Sequence, residues 1–126
     1  MARILVVDDN ARLRGAVQDI LTQAGYETET ASDGDEALQV LGRTPIDLVV
    51  TDIVMPEKEG IETITTMRKK YPGLRIIAMS GKGSGDFALY LEMAGEFGAD
   101  AALPKPFSRA QILEAVESLV GAAKPR

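Results

Sequence analysis

Short aliphatic runs alternate along this chain with longer stretches in which apolar residues recur at helical spacing. Ile4 to Val7 is the first run; Ala11, Leu13, Ala16, Val17, Ile20, Leu21 and Ala24 then fall mainly on one helical face, with Gly25 as the stop. Tyr26 to Ala31 alternates as a strand does. Gly34 to Arg43 carries Ala37, Leu38 and Leu41 at helix spacing, and Ile46 to Val50 is another aliphatic run. The pattern continues with a helix over Gly60 to Tyr71, ended before Pro72, a strand over Ile76 to Met79 and a helix over Phe87 to Phe97. A short strand over Ala101 to Leu103 and a helix over Ala110 to Val120 complete it. The chain thus predicts five strands alternating with five helices.

That order predicts an α/β fold, an open parallel sheet with helices on both faces, because each strand-helix-strand crossover covers the strands it joins. The runs are aliphatic rather than strictly alternating, which suits strands buried on both sides. With 126 residues, 45% of them hydrophobic, the chain suffices for one domain with one core. The absence of both cysteine and histidine removes disulfides, thiolate metal sites and imidazole ligands. Any bound metal must therefore be held by oxygen, which points to hard cations and above all to Mg²⁺. A formal net charge of -5 without a basic run argues against nucleic-acid binding. No apolar stretch is long enough for a membrane span and no signal peptide opens the chain, so the expected compartment is the cytoplasm.

In doubly wound sheets the ligand site lies beyond the carboxyl ends of the strands. Asp8 and Asp9 follow the first run, Thr51 and Asp52 the third, Ser80 and Gly81 the fourth, and Pro104, Lys105 and Pro106 the fifth. One edge would thus collect three carboxylates, a hydroxyl and an ammonium. Clustered carboxylates repel, and a divalent cation relieves the repulsion. Each residue also has a plain structural reading: Asp9 or Asn10 as a helix cap, Asp52 as a turn former before VMPEKEG, Ser80 as a loop hydroxyl and Lys105 as a solvated charge. Their coincidence at neighbouring strand ends favours a site. The acidic segments Ser32 to Glu36 and Glu57 to Glu59 fall away from it.

The ordered motifs ILVVDD, DLVVTDIVMPEKEG, IIAMSG and GADAALPKPF resemble the receiver domains of two-component response regulators, the CheY-like superfamily, over almost the whole chain. The resemblance implies a flavodoxin-like sheet of order 2-1-3-4-5. It implies Asp52 as phosphoacceptor and Mg²⁺ held by Asp8, Asp9, Asp52 and the backbone carbonyl of Val54. Ser80 would bond a phosphoryl oxygen and Lys105 would pair with Asp52. The donor would be a phosphohistidine on a histidine kinase or a histidine phosphotransfer protein, and the output a downstream protein target. The expected product is a receiver over residues 1–121 with a short tail, 122–126, no output domain, and a monomeric or weakly dimeric state. It would assist only its own phosphorylation and dephosphorylation, without being an enzyme in the turnover sense.

Two departures from the family pattern stand out. Ala102 occupies the position where an aromatic commonly moves with the hydroxyl. The segment from Ser80 to Lys105 is slightly long and opens with SGKGSG, a glycine-rich loop by composition. SGKGSG is not a P-loop, since Ile76 stands where the first glycine would be needed. The apolar stripe Phe87, Leu91, Met93, Ala94 and Phe97 is expected to pack in the core, with part of it available to a partner. A phosphate-independent adaptor is the alternative function, disfavoured by the intact acidic set. A phosphatase of the haloacid-dehalogenase type would need a second carboxylate where Val54 stands.

Overall fold

The computed structural model describes residues 2–53, 59–80, 92, 96 and 98–122, with the side chains of 59–61 outside that description. Five parallel strands, β1 (Arg3–Val7), β2 (Glu27–Ala31), β3 (Leu48–Asp52), β4 (Arg75–Ser80) and β5 (Ala101–Pro104), form one sheet in the order β2-β1-β3-β4-β5. Four helices are described: α1 (Ala11–Gln23), α2 (Gly34–Arg43), α3 (Glu59–Lys70) and α4 (Arg109–Val120). The helix expected over Phe87 to Phe97, its apolar stripe and the SGKGSG loop lie outside the described residues, apart from Ser80, Glu92 and Glu96. No described helix is long and apolar enough to cross a membrane.

Strand parity divides the core into two layers. Leu5, Val7, Val49, Ile76 and Ala78 pack with Ala37, Val40 and Leu41 of α2 and Ile64 and Met67 of α3. Ile4, Val6, Leu48, Val50, Ile77 and Met79 pack on the other face with Val17 and Leu21 of α1 and Ile112 and Val116 of α4. The central strands β1, β3 and β4 are covered on both faces, which is why their sequences are continuous aliphatic runs. The edge strands β2 and β5 are only partly buried and read ETETA and AALP.

Helix starts follow capping chemistry. Asn10, not Asp9, caps α1 by accepting from the Leu13 N–H, so the Asp9 side chain is not spent on the helix. In the acidic segment after β2, Asp33 caps α2 while Glu36 reaches back to the Ser32 N–H and hydroxyl. Those bonds hold the Glu36 carboxyl below its ordinary value. Ser108 and Gln111 form a reciprocal capping box at α4.

Several strand boundaries differ from the sequence pattern. Tyr26 precedes β2; it is buried and its hydroxyl donates to the Gly121 carbonyl at 2.8 Å, tying the strand's entry to the end of α4. β3 starts at Leu48, and at that end of the sheet the Asp47 carboxylate accepts from the Arg3 N–H. β3 also continues through Thr51 and Asp52, which pair with Ala78 and Met79 of β4, and β4 extends through Ser80, paired with Pro104. Asp52 and Ser80 are therefore strand residues, held by the ladder rather than carried on loops.

Candidate functional site

The carboxyl ends of β1, β3, β4 and β5 converge on one buried polar cluster. Asp8, directly after β1, is fully buried, Asp52 is 4% exposed and Ser80 is fully buried. Asp8 is fixed by its own N–H donating to the Ala31 carbonyl at 3.2 Å and by its Oδ1 accepting from the Asn10 N–H at 2.9 Å. Lys105 reaches the cluster because its N–H donates to the Ser80 carbonyl at 2.8 Å, extending the β4–β5 register by one residue. From there its Nζ donates to Asp8 Oδ2 at 3.0 Å and to Asp52 Oδ2 at 3.2 Å.

Asp9 completes the acidic set from the exposed side: one carboxylate oxygen from each of Asp8, Asp9 and Asp52 lies within 4.8 Å of the others. Among the described residues a single ammonium, that of Lys105, pairs with two of the three carboxylates, Asp8 and Asp52. Burial pushes the Asp8 carboxyl above its ordinary value of 3.8, and the Asp52 charge adds to the push. The Asn10 N–H and Lys105 oppose it without prevailing. Burial pulls the Lys105 ammonium down, but the facing charge of Asp52, together with Asp8, carries it above 10.5. Among the described residues the cluster holds more negative charge than Lys105 balances.

Ser80 supplies a further signature. Its Oγ is the single buried side-chain polar atom without a hydrogen-bond partner among the described residues. Buried hydroxyls are normally satisfied, and leaving one unpaired costs about 1–3 kcal/mol. A ligand oxygen arriving beside Lys105 would satisfy it. Thr51, the other hydroxyl at these strand ends, is buried and directs its Oγ1 to the Asp52 carbonyl at 3.3 Å, so it is not available in the same way.

The all-oxygen donor set, with its uncompensated charge, suits a hard divalent cation such as Mg²⁺. Asp8, Asp9 and Asp52 would hold it; the Val54 carbonyl, the fourth expected ligand, lies outside the described residues. Ala102, in β5, is exposed and pairs with Ala78.

Sequence reasoning missed Arg14. Its Nη1 donates to the Asp8 carbonyl at 2.7 Å, bringing a guanidinium against the turn that presents the acidic pair. The signal was a cation near the start of a helix, where acidic side chains are preferred. Beside Lys105 opens an apolar hollow of about 420 Å³ lined by Asn10, Leu13, Lys105, Pro106 and Phe107.

Comparison with known proteins agrees with this geometry. The family model of the response regulator receiver domain matches residues 4–117. The response regulator MprA of Mycobacterium leprae is 35% identical over 124 residues, 98% of this chain and 53% of that protein. The chain spans about half the length of the curated relatives it matches. A CheY-like receiver domain protein from Methanospirillum hungatei superposes with a TM-score of 0.83 at 30% identity, covering 94% of this chain and 92% of that one. The response regulator TrrA of Thermotoga maritima, solved in complex with Mg²⁺-BeF, gives a TM-score of 0.82 at 34% identity, covering 94% of this chain and 99% of that one. With the motif match extending over nearly its whole length and the sheet order shared, the chain belongs to the response regulator receiver domain family.

Proposed function

We propose that the chain receives a phosphoryl group on Asp52 from the phosphohistidine of a kinase or phosphotransfer protein, and passes the signal on through protein contacts. The observation that carries this reading is Lys105 bridging Asp8 and Asp52 in a buried cluster, next to the Ser80 hydroxyl, which has no partner among the described residues. In the transfer, an Asp52 carboxylate oxygen forms a bond to phosphorus as the phosphorus–nitrogen bond of the donor imidazole breaks, the electron pair leaving on nitrogen. Little covalent work is asked of the protein, so positioning and charge do most of it. β3 holds Asp52 rigidly, Lys105 moves from its carboxylate partners toward the arriving phosphoryl oxygens, and Ser80 donates to one of them.

A bound Mg²⁺ would neutralise charge on the phosphoryl oxygens, with Asp8, Asp9 and Asp52 as its protein ligands. The Mg²⁺-BeF complex of TrrA, a relative of similar fold, supports this cofactor. The apolar hollow beside Lys105 offers a docking surface for the donor protein. In this reading the chain assists its own modification and hydrolysis, works in the cytoplasm and is not a turnover enzyme.

The test is incubation with acetyl phosphate, with and without Mg²⁺, followed by intact mass. One phosphoryl adduct is expected, requiring both Mg²⁺ and Asp52 and absent in Asp52→Ala. No adduct, together with no detectable beryllofluoride complex, would sink the proposal in favour of a phosphate-independent adaptor.

A further inference from the structure

Helix α1 begins against its own electrostatics. A helix N-terminus carries a positive partial charge that favours acidic side chains, and α2 conforms with Asp35 and Glu36 in its first turn. The first turn of α1 has no acidic residue, and its first four residues include Arg12 and Arg14. The Arg14 side chain turns back over this end of the helix: the backbone N–H makes the ordinary helical bond to the Asn10 carbonyl, while Nη1 donates to the Asp8 carbonyl at 2.7 Å. With that bond every polar group of buried Asp8 is held, the N–H by Ala31, Oδ1 by Asn10, Oδ2 by Lys105 and the carbonyl by Arg14.

The Asp8 carbonyl belongs to the planar peptide that joins Asp8 to Asp9, so fixing its oxygen fixes the plane from which the Asp9 side chain departs. We propose that Arg14 is a positioning residue for the acidic pair, setting the separation of the Asp8 and Asp9 carboxylates and through it the affinity of the cluster for a divalent cation. This rests on the reading of Asp8, Asp9 and Asp52 as a cation site. Positioning and charge predict opposite signs. As a bare positive charge beside the cluster, Arg14 repels a cation and its removal tightens binding; as a support for the ligands, its removal weakens binding.

The experiment is calorimetric titration of the full chain with Mg²⁺, with a thermal melt in chelator alongside. Arg14→Gln is expected to weaken Mg²⁺ binding on the order of tenfold, the usual size for loss of a group that orients a metal ligand. Arg12→Gln, which removes the same charge from the same turn, is expected to leave binding unchanged or tighter. Unchanged or tighter binding by Arg14→Gln, or equal weakening by both variants, overturns the assignment. Should Arg14→Gln fail to fold, Arg14→Lys separates the two cases instead: the charge stays and the planar fork is lost, so weaker binding supports positioning and unchanged binding overturns it. Absence of Mg²⁺ binding by the wild type overturns the cation-site reading and this assignment with it, whereas binding that ignores Arg14 overturns the assignment alone.

Discussion

Two of the ion-pair networks at the ends of this sheet are built to opposite specifications. At the amino end of β4 and β5, Arg68 donates from Nε and Nη2 to the Gly98 carbonyl, from Nη1 to the carbonyls of Pro72 and Leu74, and from Nη2 to Asp100 Oδ2 at 2.8 Å. The same Asp100 oxygen accepts from the Ile76 N–H. Gly98 allows the approach: its φ is +126°, and an added Cβ would lie 3.0 Å from the Arg68 Cβ. Charge is matched one to one, and the network is closed. At the carboxyl end, among the described residues, three carboxylates cluster with one ammonium that pairs with Asp8 and Asp52, and the Ser80 hydroxyl has no partner. The comparison separates a charge cluster whose groups are paired from one that, among the described residues, keeps excess carboxylate and an unpaired hydroxyl.

The largest effect should come from breaking the closed network. Arg68→Ala strands several carbonyls and the Asp100 carboxylate together and is expected to cost about 2–3 kcal/mol. That would lower the melting temperature on the order of 10 °C. A loss below 1 kcal/mol by denaturant titration would put both networks in the same class.

In the open network the sign should reverse. Asp8→Asn removes a buried charge that its neighbours do not balance, while Lys105 keeps Asp52, so the unliganded protein is expected to gain about 1 kcal/mol at neutral pH. The raised Asp8 pKa sets the pH dependence: above 3.8 the unfolded chain loses this proton before the folded one does, so wild-type stability falls as pH rises through that window. The gap between Asp8→Asn and wild type should therefore open from about pH 4 upward. Urea titrations across pH would show it; a gap of the opposite sign would mean that the Lys105 pair outweighs the repulsion. The pair has its own limit, since the Lys105 contribution is present below 10.5 and is lost as pH rises above it.

The smallest effect is expected from Ser80→Ala. Deleting an unpaired buried hydroxyl should leave the melting temperature unchanged or slightly raised, while phosphoryl uptake from acetyl phosphate slows about tenfold. A clear loss of stability would show that the hydroxyl is satisfied in the folded protein and would remove the strongest contrast with the Arg68 network.

Much of this was legible from residues alone. The runs ILVV, LVV and IIAM mark central strands because burial on both faces requires continuous apolar residues. Asp8, Asp9, Asp52, Ser80 and Lys105 could be grouped because each follows or ends such a run. Strand ends were less legible. Hydrophobicity stops at Val50 and Met79, whereas hydrogen bonding continues to Asp52 and Ser80 because the ladder pairs backbones regardless of side-chain polarity. Arg68 sits in the run RKK, which reads as a solvated helix end, and only the close approach of Gly98 and Asp100 shows its use.

The sequence by itself determined the order of the described elements, the covering of the sheet on two faces and the oxygen-only chemistry of the acidic cluster, because periodicity and residue type are local properties. Only the tertiary structure decided that Asn10 rather than Asp9 caps α1, that Lys105 spans both Asp8 and Asp52, that Ser80 is left without a partner and that Arg14 grips the Asp8 carbonyl. Those facts depend on distances between residues up to 97 positions apart. Such distances are set by how the strands pack, which periodicity does not encode.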